Sequence, residues 1–176
     1  MVRTTRLTRS LSYSSILIAT GLVLPQLFHL VGGSSAGGIF LPMHLPVFIA
    51  GLLLGPVEGL AVGLLSPTFS FLFSGMPALS LLPFMIIELA IYGLASGLLA
   101  RIRRMPLVAA LVGAQIAGRL AKALALWVAA HLLHFPVPGV VTVYTALLTG
   151  LPGILLQLVV VPVTVHMLRK VMMRHV

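Results

Sequence analysis

The sequence predicts an all-α integral membrane protein, a bundle of six transmembrane helices with a short, proline-kinked second helix and both termini in the cytoplasm. Apolar residues make up 60% of the 176 residues and charged residues only 7%, against roughly 45–50% and 25% in soluble domains. The mean hydropathy is +1.19. The apolar residues fall into runs long enough to cross a bilayer, and most basic residues lie between or beyond those runs.

This composition excludes a water-soluble globule, a disordered chain and a disulfide-stapled secreted module. The chain has no cysteine, and therefore no thiolate nucleophile and no Cys-ligated metal. Its 11 Lys and Arg against 2 Asp and Glu give a formal charge of +9. Because the basic residues flank apolar runs instead of covering one face, the charge indicates membrane topology and not nucleic-acid binding.

Six apolar runs are the candidate spanning helices, since a span needs about 20 mostly apolar residues. They cover 11–31, 40–54, 57–73, 79–100, 107–133 and 140–168. The length leaves room for one domain, so 1–176 is predicted to be a single six-helix domain with basic cytoplasmic tails at 1–10 and 169–176.

The positions of the basic residues predict the orientation of the bundle. Nine of the 11 form three clusters: Arg3, Arg6 and Arg9; Arg101, Arg103 and Arg104; and Arg169, Lys170 and Arg174. An even number of helices puts these clusters on one side, which the positive-inside rule makes cytoplasmic. An alternative is a cleaved secretory signal ending near Ser35, but the first apolar run is long for one.

The first outer loop is small and uncharged, with Gly33, Ser34, Ser35 and Gly37 at its centre. Such a sequence is flexible. Two interpretations stay open: a turn with spare length, or a lid hinged on glycine that moves over an outward-facing site.

The second run carries Pro42 and Pro46 on either side of His44. Proline inside a helix removes a hydrogen bond and clashes with the preceding turn. Irregular backbone at membrane depth is tolerated where it lines a cavity, and broken helices often form transporter sites. His44 is therefore a candidate binding residue; the alternative is a simple kink with His44 near the interface.

Buried ionisable groups are the clearest functional signal, because charges inside a membrane are costly. Glu88 lies in the middle of the fourth run, and Gln115, Arg119 and Lys122 share one face of the fifth. Glu88 can neutralise one cation, and the other would then need an anionic ligand or partner. The alternative is a structural Glu88–Arg119 ion pair, since buried charges normally pair.

Further candidate binding residues are mostly aromatic: Phe84, Tyr92, Trp127, His131 and Tyr144. An apolar cavity with a few convergent polar groups suits a small molecule. The alternative is that the outer aromatic residues mark the membrane interface. His29, His44 and His134 lack close ligand spacing, so no metal site is predicted.

Small residues recur at four-residue spacing, which lets helices approach closely. The pairs are Gly51/Gly55, Gly59/Gly63, Gly93/Gly97 and Ser15/Ala19. Most are expected to pack the bundle itself, whereas Ser15 and Ala19 on the first helix also suit a contact with a partner subunit.

Enzyme signatures are missing from the sequence. It has no nucleophile elbow, no His-Glu-x-x-His and no P-loop, and it contains no aspartate. We therefore expect a binding protein without a cofactor or catalytic activity. Two rival hypotheses are a structural membrane scaffold and a membrane-embedded enzyme that uses Glu88 and His131.

Several motifs resemble one family in their order and spacing: FLPMHLPVFIAGLLLGP at 40–56, GLAVG at 59–63, Ser66-Pro67, GMP at 75–77 and ELAIYG at 88–93. Over residues 11–168 the chain resembles the substrate-binding S components of energy-coupling factor (ECF) transporters. The resemblance implies a six-helix bundle in a bacterial or archaeal membrane that captures a vitamin with high affinity at its outer face.

The resemblance also implies partners and roles. A transmembrane T component and two cytoplasmic ATPases would drive uptake, and Ser15 and Ala19 would contact the T component, although the usual Ala-x-x-x-Ala is only approximated. Glu88, Arg119 and His131 would supply polar contacts to the ligand, and Trp127 and Tyr144 would stack on it. The positive charge of Arg119 and Lys122 exceeds the negative charge of Glu88, which favours a ligand that carries a carboxylate, such as pantothenate or folate. Cobalamin and pyridoxine-type ligands stay open.

Overall fold

The computed structural model describes residues 2–33, 35–137, 139 and 141–174. Its helices are α1 Val2–Gly32, α2 Ala36–Phe40, α3 His44–Leu53, α4 Pro56–Ser74, α5 Leu82–Gly97, α6 Leu107–His131, α7 Val141–Thr149 and α8 Leu151–Arg174, and a π-helical turn, Leu98–Ile102, follows α5. No strand occurs within these described ranges.

Six helical stretches are long and apolar enough to cross a membrane. They are Thr8–Gly32, Ala36–Leu53, Pro56–Ser74, Leu82–Ile102, Leu107–His131 and Leu151–Met172. The predicted all-α bundle of six spanning helices is therefore confirmed.

The second span is broken near its start, as its two prolines predict. Helix α2 ends at Phe40, Leu41 adopts a left-handed conformation with φ of 50°, and α3 begins at His44. Pro42 lies in the connecting turn, and Pro46 lies in the first turn of α3. The backbone N–H groups of a first turn have no acceptor within the helix, so proline removes no hydrogen bond there. The prolines thus start a new helix instead of bending a continuous one.

The prediction of one helix over 140–168 is wrong. Helix α7 ends at Thr149, and α8 runs from Leu151 to Arg174. Gly150 separates them and Pro152 is the second residue of α8, a position that proline favours because it needs no N–H donor there. Only α8 is long enough to span the bilayer.

The centre of the bundle is the packing of α3, α4 and α5, which depends on glycine. A Cβ atom at Gly93 would strike the backbone of Gly59, and a Cβ at Gly51 or Gly59 would strike the carbonyl of Gly93. Gly63 makes the same kind of approach to Leu89. The four-residue spacings on these helices therefore pack the bundle itself, as expected.

Two arginines cap the end of α3 that faces the basic clusters. Arg101 Nη1 donates to the Leu54 carbonyl at 2.6 Å, and Arg169 Nη2 donates to the Leu52 carbonyl at 2.8 Å. The last carbonyls of a helix have no partner inside it, and cations stabilise that end of its dipole. The contacts join the π-helical turn after α5 and the last part of α8 to the end of α3.

Helix α1 lies at the edge of the bundle. It approaches α4 at Gly21, where a Cβ atom would lie 3.0 Å from Ser66 Oγ. Ser10 Oγ also donates to Glu58 Oε1 on α4 at 2.8 Å. Most of the remaining surface of α1 faces away from the bundle. Within its spanning stretch, Thr8–Gly32, only 11% of the most apolar 18 residues is buried inside the protein.

Candidate functional site

A cavity of about 550 Å³ lies in the half of the bundle opposite Arg101 and Arg169. The end of α1, α2, the start of α3 and segment 76–78 line it, together with parts of α4 to α7. Its polar lining side chains are Gln26, His29, His44, Ser70, Glu88, Arg119, Lys122, Thr145 and Thr149. The volume lies in the range of small-molecule sites, roughly 300–1,000 Å³.

Glu88 on α5 forms the floor of the charged part of the cavity. Lys122 Nζ lies 2.7 Å from its Oε2, and the Tyr92 hydroxyl donates to its Oε1 at 2.7 Å. The Glu88 side chain is 5% exposed and that of Lys122 is 20% exposed. Both carboxylate oxygens are therefore satisfied, and the ion pair is formed by Lys122 and not by Arg119.

Arg119 lies on α6, one turn before Lys122, and lines the cavity. It is half-buried and forms no hydrogen bond or ion pair with any residue that the structure describes. Its position depends on Gly118, where a Cβ atom would overlap the Tyr92 ring. The close approach of α6 to α5 at this glycine leaves Arg119 beside the neutralised Glu88–Lys122 pair as an additional positive charge.

His44 begins α3 and lies at the wall of the same cavity. Its residue is 5% exposed, and its ring centroid is 5.4 Å from that of Tyr92. Within the described ranges its Nδ1 atom has no hydrogen-bond partner. A buried polar atom without a partner is unusual in a native structure.

The predicted lid contains a short helix. Gly37 and Gly38 of α2 line the cavity, and a Cβ atom at Gly37 would lie 2.9 Å from the His29 ring. Gly33 has φ of 72°. Ser35 precedes α2 and is exposed, and Ser34 falls outside the described residues.

Four predicted site residues lie away from the cavity. Phe84 is buried in a small cluster with Leu126. Trp127 and His131 stack on one another with centroids 5.2 Å apart, and Trp127 is 47% exposed. Tyr144 lines a separate groove. Tyr92 does not line the cavity, but it contacts two residues that do: its hydroxyl donates to Glu88 and its ring packs against His44.

Several polar residues that line the cavity were not predicted from the sequence, namely Gln26, His29, Ser70, Thr145 and Thr149. Four of them lie near the ends of apolar runs, where polar residues are common, and Thr149 lies further inside the sixth run. One signal was available: Thr145 and Thr149 are four residues apart, so they share one face of a helix.

The outward surface of α1 carries the two residues predicted to contact a partner. Ser15 and Ala19 are both exposed, and the Ser15 hydroxyl donates to the Leu11 carbonyl of its own helix at 3.0 Å. This face is therefore free of contacts with the rest of the described bundle.

Comparison with known proteins identifies the family. The family model of the ECF transporter substrate-specific component matches residues 9–165, which include α2 to α7 and most of α1 and α8. No curated protein and no solved structure gives a significant match. Members of this family are substrate-binding subunits and not enzymes. The chain is a multi-pass membrane protein and belongs to the family of ECF transporter substrate-specific components.

Proposed function

We propose that this subunit captures a water-soluble vitamin or related micronutrient that carries a carboxylate, and that the carboxylate binds Arg119. The observation that carries this proposal is the unbalanced charge at the cavity. Lys122 is neutralised by Glu88 at 2.7 Å, whereas Arg119 has no partner among the described residues. An unpaired cation inside a membrane is costly, so a bound anion would relieve it.

A carboxylate suits this position better than other polar groups. Guanidinium and carboxylate form paired, charge-assisted hydrogen bonds that are stronger than neutral ones. The hydroxyls of Thr145 and Thr149 line the cavity and would face the uncharged polar part of the ligand, the Thr145 hydroxyl as an acceptor because it already donates to the Thr142 carbonyl at 3.1 Å. A cavity of about 550 Å³ favours ligands of the size of pantothenate or folate over the cobalamin macrocycle.

The remaining parts of the transport cycle rest on the family and the charge pattern. The cavity would face outward, since it lies at the end opposite the basic clusters, and the termini would be cytoplasmic. The loop 32–39 would cover the bound ligand. A T component would dock on the face of α1 with Ser15 and Ala19, and two ATPase subunits would supply the energy for release inside a bacterial or archaeal cell.

The first test is mass spectrometry of small molecules released from the detergent-purified protein, followed by titration with a panel of vitamins. We expect a stoichiometric carboxylate-bearing compound. Arg119→Gln should lower its affinity by about 10- to 100-fold, since a hydrogen bond to a charged group contributes roughly 1.5–3 kcal/mol.

Arg103→Gln is the matched control, because it removes the same charge from an exposed position outside the cavity. It should bind as the unmodified protein does. Binding of only uncharged or cationic vitamins, or unchanged binding by Arg119→Gln, would contradict the proposal. Failure of the whole panel would favour a structural scaffold.

A further inference from the structure

His29 lies three residues before the end of α1 and lines the cavity. Its imidazole ring has a neighbour on two sides. On one side, Nδ1 lies 3.3 Å from the carbonyl oxygen of Gly33. On the other side, α2 comes so close that a Cβ atom at Gly37 would lie 2.9 Å from Cε1 and 3.0 Å from Nε2. The ring is therefore oriented by the end of α1 and by α2 before any ligand binds.

The contact with Gly33 determines which ring nitrogen of His29 carries the proton. A carbonyl oxygen can only accept a hydrogen bond, so Nδ1 is the donor. In the neutral ring, Nε2 is then an acceptor. Among the described residues no group donates to Nε2. This nitrogen is therefore the polar atom that His29 can offer to a ligand, and it requires a donor.

Thr145 on α7 lines the same cavity and has the same requirement. Its hydroxyl donates to the Thr142 carbonyl at 3.1 Å, so only its oxygen lone pairs remain for a second partner. Two lining side chains from different helices are thus acceptors. An acceptor that a ligand covers without supplying a donor loses its bond to water and gains nothing in return.

His29 and Arg119 lie at different depths along the bundle. Helices α1 and α6 both run away from the basic clusters, so they end on the same side. Arg119 lies twelve residues before the last residue of α6, or roughly 18 Å at 1.5 Å per residue. His29 lies three residues before the last residue of α1, or roughly 4.5 Å. A ligand that contacts both residues is therefore elongated, with its deeper end at Arg119.

We propose that His29 is a specificity-determining residue: its Nε2 accepts a hydrogen bond from a hydroxyl or N–H group at one end of the substrate, while Arg119 binds the carboxylate at the other end. This role of His29 rests on the proposed function and narrows its substrate class. The substrate is an elongated, water-soluble carboxylate with a hydrogen-bond donor remote from the carboxylate. A carboxylate whose remote end has no donor leaves His29 Nε2 without a partner and binds more weakly.

The test is calorimetric titration of the full-length protein in nanodiscs with two pairs of probes. Pantothenate carries hydroxyls at the end remote from its carboxylate, and its dideoxy analogue has hydrogen in their place. Biotin carries two N–H groups on its ring, and lipoate, which has a similar pentanoate arm, carries none. We expect pantothenate or biotin to bind, and to bind about fivefold more tightly than its partner, as the loss of one hydrogen bond predicts.

Variants of His29 separate its acceptor from the packing of its ring. His29→Phe keeps a ring beside Gly37 but has no acceptor, so the probe with donors should lose about fivefold in affinity and its partner should not. His29→Gln supplies a carbonyl oxygen as acceptor and should restore much of the preference. Gly37→Ala, which crowds the ring without replacing it, should reduce the preference. His166→Phe is the matched control and should bind normally, because His166 is exposed on α8 outside the cavity.

The outcomes distinguish the role of His29 from the proposed function. Equal affinity within both pairs, or a preference for donors that persists in His29→Phe, would overturn the role of His29, and so would a failure of both pantothenate and biotin to bind. If a carboxylate vitamin still bound in an Arg119-dependent manner, the proposed function would stand. If His29→Phe removed the preference for donors but Arg119→Gln left binding unchanged, the role of His29 would stand and the carboxylate site would be wrong.

Discussion

Lys122 Nζ on α6 lies 2.7 Å from Glu88 Oε2 on α5, in a part of the bundle where the Glu88 side chain is only 5% exposed. The pair joins two spanning helices, and it uses the one acidic side chain that lines the cavity in the described part of the chain. The positive charge of Arg119, one turn away, therefore has no counter-charge among the described residues.

The ion pair leads to a stability prediction. Lys122→Met should destabilise the protein by about 3–5 kcal/mol, because it leaves a buried carboxylate without its counter-charge. The double variant Glu88→Gln/Lys122→Met should recover much of that loss, since no buried charge is then left unpaired. Thermal unfolding in detergent measures both effects. A single variant as stable as the unmodified protein would show that the pair does not hold α5 to α6.

Glycine at the centre of the bundle gives a second prediction. Gly93→Ala should destabilise the protein strongly, because the added Cβ would strike the backbone of Gly59, which has no side chain to move aside. Gly38→Ala is the control, since a Cβ at Gly38 meets nothing within 4 Å. The melting temperatures of the two variants in detergent should differ clearly. Equal melting temperatures would contradict the close approach of α4 and α5.

Two buried serines should respond in opposite ways to replacement by alanine. Ser66 Oγ has no hydrogen-bond partner among the described residues, so Ser66→Ala should be neutral or stabilising. Ser96 Oγ donates to the Gly93 carbonyl at 3.1 Å, so Ser96→Ala should be destabilising by about 1 kcal/mol. Chemical or thermal unfolding of both variants checks the difference. A loss at Ser66 equal to that at Ser96 would mean that Ser66 has a partner.

Gln157 connects α8 to the corner between α2 and α3. It accepts a hydrogen bond from Gln115 at 2.9 Å and donates one to the Leu41 carbonyl at 3.4 Å. Gln157→Leu should speed amide exchange in segment 35–43, because that corner loses a fixed contact. Gln115→Leu, which keeps the contact with Leu41, should have a smaller effect. Equal exchange in all three proteins would show that Gln157 does not restrain the corner.

Much of the fold could be predicted because the relevant signals are local. The length of most apolar runs predicts a span, and the spacing of Gln115, Arg119 and Lys122 predicts that they share one face of α6. The spacing does not say which cation pairs with Glu88. That depends on how α6 rotates and how closely it approaches α5 at Gly118, which is a property of tertiary packing.

The differences between expectation and structure have equally specific causes. Trp127 and His131 do not line the cavity, because position along a helix does not determine which face turns inward. The break at Gly150 was missed because the run stays apolar through it, although Gly150 and Pro152 together are typical of a helix boundary. His29 and Thr145 were missed because only the fold brings the end of α1 and helix α7 to the same cavity.

The central claim is that Arg119 binds a carboxylate in the cavity, and one calorimetric comparison tests it most directly. The ligand recovered from the purified protein and its primary amide, which differs only in lacking the negative charge, are each titrated into the unmodified protein and into Arg119→Gln. We predict that the unmodified protein prefers the carboxylate by at least about tenfold and that Arg119→Gln loses this preference. Equal affinity of the unmodified protein for both compounds, or a preference that persists in Arg119→Gln, would contradict the claim.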